Sequence, residues 1–344
     1  MTVTAISQIF SKAHELNASD VHIAVGSPIL FRIDGELQPQ TKQAVTHAQA
    51  EQFVKSVLDD AAFKRFKDEK EIDGSYEIED GIRMRVNGAF ERGNMTLVAR
   101  IIPTEIPTLE ALNLTELAAR FRQHREGLIL FTGPTGSGKS TSLASIISAI
   151  NAERAVNTIT LEDPIEFIFP PSIGITRQRQ YGEDFLSFPE ALKHVLRQDP
   201  NIVMVGEMRD PETIAAALTL AETGHLIFAT LHTPNAIQTV DRIIDVFPPH
   251  QQNQVRSQLS MSLKAIVAQR LVPSIKGGRI AVREVLINTP AVANTIRDNR
   301  AQELKSVLQT NESIGMVTFE KSAKRLYKEG VITKETYEFV VATA

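Results

Sequence analysis

The 344-residue chain carries 42% hydrophobic and 23% charged residues, the balance of an ordinary globular protein, and its length suggests about two domains. A net charge of −4 gives no global attraction to nucleic acid, and zero cysteines exclude disulfides and cysteine-ligated zinc. No apolar run is long enough to span a membrane and no signal-peptide pattern precedes the amphipathic N-terminus, so a cytosolic chain is expected.

Apolar residues at Val3, Ile6, Ile9, Phe10, Ala13 and Leu16 recur at helical spacing and predict a helix over 3–16. Two β-like runs follow at 21–24 and 29–33, the second ending in the turn pair Asp34-Gly35. Residues 46–69 read as helix with Thr46 as its cap, and strands are expected at 75–79, 82–90 and 95–102. Residues 1–102 thus form a small α+β domain, and the proline-punctuated stretch from Pro103 to Pro107 begins a linker over 103–113.

Over 114–344 the pattern changes to alternating helices and buried strands. Strands expected at 127–132, 156–161, 202–206 and 226–231, with helices between them, predict an α/β domain with a mainly parallel sheet covered on both faces. The later chain reads as helix at 249–269, 290–299, 302–311, 316–329 and 334–342, interrupted by a strand at 279–287. Residues from about 290 to 344 therefore form a helical C-terminal extension.

The stretch Gly133, Pro134, Thr135, Gly136, Ser137, Gly138, Lys139, Ser140 matches the P-loop pattern and lies between the apolar run 127–132 and a helical pattern. Glycines let the backbone curl so that successive N–H groups point at phosphate oxygens. Lys139 brings a charge to the β- and γ-phosphates, the Ser140 hydroxyl suits a magnesium ligand, and Thr141 opens a helix whose N-terminal dipole favours the anion.

A second signal is the apolar strand 202–206 emptying into Glu207, the Walker B arrangement, which delivers an acid beside the magnesium through water; Arg209 follows. Glu162, Asp163 and Glu166 crowd the end of another strand, where they repel unless cations or donors compensate, and a metal-bound triphosphate with an attacking water is one compensation. Glu162 and Glu207 are both candidates to orient that water, and sequence does not choose between them. His225 and His232 lack a second ligand at metal spacing; they read either as hydrogen-bonding groups near the γ-phosphate or as structural caps. Arg83 and Arg85 share one strand face and Arg100 lies on the next strand. They suit either exposed strand cations or arginine fingers delivered across an interface.

Together, the segments GPTGSGKST, TLEDPIEF, VGEMRDPETI and AETGHLIFATLHT resemble the P-loop, Asp box, Walker B and His box of the secretion-ATPase superfamily, in the order seen in the type IV pilus retraction ATPases. The resemblance covers almost the whole chain, from Ala18-Ser-Asp-Val-His22 through Arg83-Met-Arg-Val-Asn87 and the segment 241–248 to Ala293-Asn-Thr-Ile-Arg-Asp298, which looks like a partial match to the family's AIRNLIRE element. It implies a PAS-like N-terminal domain, a RecA-like ATPase domain and a homo-hexameric ring that binds ATP and Mg2+. It also implies that Arg85 and Arg100 reach the nucleotide phosphates, while Glu166, Arg209 and His225 belong with the nucleotide-binding residues and His232 with the catalytic ones. The implied work is ATP-driven action on an inner-membrane platform protein, with no nucleic acid and no zinc, at the cytoplasmic face of that membrane, in some cases beside a paralogous pilus ATPase.

Extension and type II secretion ATPases of the superfamily usually carry a further N-terminal domain and a four-cysteine zinc module, and the absence of cysteine favours retraction. The chain departs from the family pattern at Gln180, where an acid is usual, at Phe185 after Asp184, and at Asn201 before Walker B. Those departures bear on rate, direction and partner choice and keep an accessory retraction ATPase in view. A nucleic-acid translocase and a nucleotide-gated scaffold without hydrolysis are the competing readings.

Overall fold

The computed structural model describes residues 3–33, 35–78, 81–102 and 105–343, and at residues 3–5 the backbone only. Asp34 of the expected turn pair, residue 79 of the strand expected at 75–79, and Pro103 and Thr104 of the expected linker lie outside the described residues. The chain divides into two compact units, Met1–Glu105 and Ile106–Ala344.

In the first unit the helix α1 (Val3–Glu15) precedes strands β1 (Asp20–Ile23), β2 (Leu30–Ile33) and β3 (Glu36–Pro39). Two helices, α2 (His47–Val57) and α3 (Asp60–Glu69), are followed by β4 (Glu71–Glu77), β5 (Arg83–Glu91) and β6 (Asn94–Ile101). The strands form one antiparallel sheet in the order β3-β2-β1-β6-β5-β4. One sheet face and the helices share a core that includes Phe10, Phe31, Phe66, Met84 and Leu97, each at most 1% exposed. The pleat sends alternate residues, Asp20, Arg85 and Arg100 among them, to the other face.

The helix expected over 46–69 is two helices. Leu58 takes an extended conformation, and Asp59 starts a new helix by accepting a 2.7 Å hydrogen bond from the Ala62 amide. Apolar spacing alone continues across this break. β3 was not anticipated, because all four of its residues are exposed on an edge strand and carry no apolar alternation.

The second unit begins with α4 (Thr115–Phe121), then β7 (Gly127–Thr132), α5 (Lys139–Glu153), β8 (Asn157–Glu162), β9 (Ile175–Gln180), α6 (Phe188–Val195) and β10 (Ile202–Val205). It continues through α7 (Pro211–Glu222), β11 (Leu226–Leu231), α8 (Ala236–Asp245), α9 (Pro249–Ser262), β12 (Leu263–Pro273) and β13 (Arg279–Ile287). The last helices are α10 (Pro290–Arg297), α11 (Leu304–Thr310), α12 (Phe319–Lys328) and α13 (Lys334–Ala342). The stretch 106–113, part of the expected linker, packs into this unit through Leu109 and Leu112.

The second sheet has the order β13-β12-β7-β11-β10-β8-β9, parallel throughout except for the antiparallel β12–β13 pair. β7, β10 and β11 are buried along their whole length, as expected of strands covered on both faces. One apolar layer packs around Leu130, Val205 and Leu218, the other around Phe131, Ile146 and Phe228, and a smaller cluster beneath α12 and α13 includes Phe319 and Leu326.

The helix expected at 249–269 ends at Ser262. Residues 263–273 are instead the strand β12, hydrogen-bonded to β7 on one side and β13 on the other. A fully buried strand lacks the period-two alternation that would distinguish it from a buried helix, and only its β-branched Ile266, Val267 and Val272 hinted at extension. β9, with the polar sequence ITRQRQ on the opposite edge, was also not anticipated. No helix among the described residues is long and apolar enough to cross a membrane.

Candidate nucleotide site

The parallel strands β7, β8, β10 and β11 end at one edge of the sheet, where Glu162 is the last residue of β8 and the turns leaving β7, β10 and β11 carry the P-loop, Glu207 and His232. This edge is where open parallel sheets hold ligands. The P-loop leaves β7 with Gly133 at φ 139°, and a Cβ there would lie 2.2 Å from the Gln269 carbonyl oxygen, so only glycine fits between the loop and β12. Gly136, at φ 76°, turns the exposed tip, where Pro134 and Thr135 are also exposed. Gly138 caps α5, which begins at Lys139 rather than at Thr141; Ser140 and Thr141 lie in its first turn, both half-buried.

Lys139 is 7% exposed and donates to the carbonyls of Gly133 at 2.9 Å and Pro134 at 3.0 Å. Burial pushes its ammonium pKa down, while Glu166 and Glu207 act in the opposite direction. The two acids are therefore within electrostatic reach of the P-loop lysine. Glu166 is exposed, in the loop that follows the cis Asp163-Pro164 peptide bond.

Glu162 is 5% exposed, and burial pushes its carboxyl pKa up. Thr160 Oγ1 and Gln178 Nε2 oppose that rise by donating to Glu162 Oε1 at 2.6 and 3.1 Å. Glu207 has a different environment. Arg209 lies 2.5 Å from one of its oxygens and His232 Nε2 lies 3.2 Å from the other. Its strand is tied to the neighbours by Gly206 N–H donating to the Leu161 carbonyl at 2.7 Å, and by the Thr230 hydroxyl donating to the Gly206 carbonyl. His232 thus belongs to the site edge.

His225 does not. It precedes β11 at the opposite end of the sheet, where its carbonyl accepts from the Gly127 amide, and its Nδ1 lies 3.0 Å from the Leu220 carbonyl and 3.2 Å from Thr223 Oγ1. The six residues of β11 lie between it and His232, seven steps that span close to 23 Å at about 3.3 Å per residue. Of the two readings of His225, these contacts fit the structural cap, at the end of α7.

Arg85 and Arg100 are direct cross-strand partners on the first unit's sheet, and Asp20 is the partner of Arg100 on the next strand. Arg100 Nε donates to Asp20 Oδ1 at 2.9 Å while its side chain stays 70% exposed. Arg85 is also exposed, 4.0 Å from Asp73, and Arg83 lies 3.5 Å from Glu77.

Sequence reasoning missed Gln269. Its side chain, 1% exposed, donates to the Ser137 carbonyl at 2.6 Å and accepts from Ser142 Oγ at 2.9 Å and from Arg283 Nε at 2.8 Å. A polar residue inside the run Ala-Ile-Val-Ala-Gln was the available signal, masked by the expectation of helix there. Also missed was a cavity of about 380 Å3 beside the P-loop, lined by Pro134, Thr135, Leu271, Arg279, Phe339 and Val340, which brings α13 to the nucleotide loop.

The model of the type II/IV secretion system protein family matches residues 1–338. The chain is 40% identical over 330 residues to the type IV pilus retraction ATPase PilT of Pseudomonas aeruginosa, covering 96% of each protein. It is 41% identical over 322 residues to the type IV pilus ATPase PilU of the same organism, covering 93% of this chain and 84% of that one. A crystal structure of the pilus retraction motor PilT with bound ADP superposes with a TM-score of 0.91 at 40% identity, covering 97% of this chain and 96% of that one. The chain belongs to the type II/IV secretion system protein family, among its P-loop ATPases.

Proposed function

We propose that the protein is a magnesium-dependent ATP hydrolase that works as a homo-hexamer to power type IV pilus retraction, acting on an inner-membrane platform protein from the cytoplasmic side. The observation that carries this reading is the gathering of Lys139, Glu162, Glu207 and His232 at one sheet edge, in a chain similar along nearly its whole length to a retraction ATPase. The two proposed regions are a PAS-like domain over 1–102 and an ATPase domain over 114–344.

The P-loop amides and Lys139 bind the phosphates, and the cavity beside Phe339 has room for the base and ribose. Among the described residues no cluster of three acids or histidines could hold a metal. The half-buried Ser140 hydroxyl and the Glu207 carboxylate nevertheless fit magnesium, which takes few protein ligands and keeps water and phosphate oxygens. When bound, it supplies charge neutralisation across the β- and γ-phosphates. Glu162 is the better base for the attacking water, because burial raises its proton affinity while Thr160 and Gln178 orient it. Glu207, held by Arg209 and His232, serves the metal side. Arg85 and Arg100 stand exposed on a unit with no phosphate loop and suit transition-state charge supplied to a neighbouring subunit.

Substituting Lys139→Ala or Glu207→Ala is expected to abolish turnover, and normal hydrolysis by either purified variant would refute the site. Mixing Arg85→Ala with Lys139→Ala subunits is expected to restore part of the activity, and no rescue at any ratio would refute action across subunits. Deletion in the source cell is expected to leave excess non-retracting pili, whereas loss of pili would mean extension. An accessory role beside a paralogous ATPase is favoured by the departures at Gln180, Phe185 and Asn201 and by the 41% identity to PilU; the lower coverage of that protein ranks it second.

A further inference from the structure

A second cavity, about 630 Å3, lies within the Ile106–Ala344 unit between α4, β13 and α12. Its volume falls in the range of small-molecule sites. The wall includes Arg283 of β13, Arg325 of α12 and Arg120 of α4. Arg283 is the unusual member, because it is a cation only 7% exposed and, among the described residues, forms no ion pair with a carboxylate. Burying an unpaired charge is costly, and proteins ordinarily pair such a group or leave it a ligand to meet.

Arg283 is also held rigidly. Its Nε donates to Gln269 Oε1 at 2.8 Å, its Nη1 donates to the Asn113 carbonyl at 3.3 Å, and its backbone amide donates to Ser322 Oγ at 3.2 Å. Burial pushes its pKa down to about 10, and the nearby Arg325 pushes in the same direction. No carboxylate offsets that effect, although Glu110, Glu116, Glu312 and Glu329 line the cavity at exposed positions, Glu312 paired with Lys321 at 2.7 Å. Among the lining residues Arg283 is therefore the buried cation, and the exposed rim carries the acids together with Arg120 and Arg325. The third guanidinium, Arg120, lies flat against the backbone of Gly315, whose left-handed conformation (φ 90°) and missing Cβ leave it room; a Cβ there would come within 2.8 Å of the guanidinium carbon.

We propose that this cavity binds an organic phosphate, with the phosphoryl group on Arg283, Arg325 and Arg120 and the rim acids accepting hydrogen bonds from the hydroxyl or amino groups of the organic part. Guanidinium forks match phosphoryl oxygens in pairs, and three forks exceed what one planar carboxylate can engage. Inorganic phosphate alone would leave most of the volume empty. The site lies apart from the P-loop, and its occupancy does not depend on the retraction reading.

Thermal unfolding of the full chain, saturated with Mg-ADP and at constant ionic strength, tests the proposal with two probes, inorganic phosphate and ribose 5-phosphate. Ribose 5-phosphate is expected to raise Tm by about 5 °C at high excess, and inorganic phosphate by less. Arg325→Ala and Arg120→Ala, both at exposed positions, are expected to fold and to lose the rise. A rise that persists in both arginine variants, or no rise in the unsubstituted protein, overturns the proposal. An inorganic phosphate response equal to that of ribose 5-phosphate overturns the assignment of an organic ligand.

Discussion

Gln269→Leu removes three buried hydrogen bonds while nearly conserving side-chain volume. It strands the Ser137 carbonyl, the Ser142 hydroxyl and one N–H of the buried Arg283 guanidinium. An unsatisfied buried polar group costs about 1–3 kcal/mol, and a charged one lies at the upper end, so the loss sums to about 5–9 kcal/mol. For a unit of this size, at about 2–4 °C per kcal/mol, the Tm is expected to fall by at least about 10 °C. Nucleotide binding is expected to weaken as well, because the Ser137 carbonyl anchors the P-loop to β12 through this amide. Gln269→Glu separates the two effects. It retains acceptors for Ser142 and a charged partner for Arg283 but loses the donor to Ser137, so stability is expected to recover while ATP affinity stays reduced. The assay is thermal unfolding alongside the KM for ATP. A Tm change under about 2 °C in Gln269→Leu, or unaltered KM in both variants, would refute the claim that Gln269 positions the loop.

Other consequences are open to measurement. Thr160→Val removes a hydrogen bond that holds the Glu162 pKa below where burial alone would put it, so the acidic limb of the kcat profile is expected to move to higher pH; a limb that moves lower would exclude Glu162 as the base. Gly133→Ala places a methyl 2.2 Å from the Gln269 carbonyl and is expected to cost more than about 3 kcal/mol or prevent soluble expression, against ordinary behaviour if the loop has slack. The net pKa of Asp20 is lowered: burial, the largest single influence, raises it, but hydrogen bonds from Ser19 and Arg100 together with the Arg100 charge outweigh it. The resulting stability is present at neutral pH and lost as pH falls through the folded pKa. Asp20→Asn is therefore expected to cost up to about 1 kcal/mol at pH 7, with the gap in Tm closing below pH 4. A gap constant with pH would contradict the ion pair's role. Asp59→Ala is expected to cost about 1 kcal/mol through loss of the α3 cap, read from urea unfolding.

The P-loop was legible because its chemistry is local: glycines, lysine and serine must follow one another to surround a phosphate, and the strand before them and the helix after them have strong periodicity. Glu162, Glu207 and His232 were legible for a related reason, since each ends an apolar run and strand ends of a parallel sheet share one edge. Chain order alone did not decide which histidine faces that edge. His225 and His232 bracket the same strand, and only the parallel register of β11 against β7 puts one at each end.

The residues that hold the site in shape were not legible. Gln269 meets the P-loop only because β12 runs between β7 and β13, a pairing between segments more than a hundred residues apart, in a stretch whose apolar pattern suits helix and buried strand equally. The Arg283 cavity likewise combines α4, β13 and α12. Sequence by itself determined that the chain is one of the nucleotide-binding ATPases and which local segments meet at one sheet edge. The tertiary structure decided which buried polar groups support those segments, because hydrogen bonds between distant strands depend on register and burial, and neither is written in the spacing of one segment.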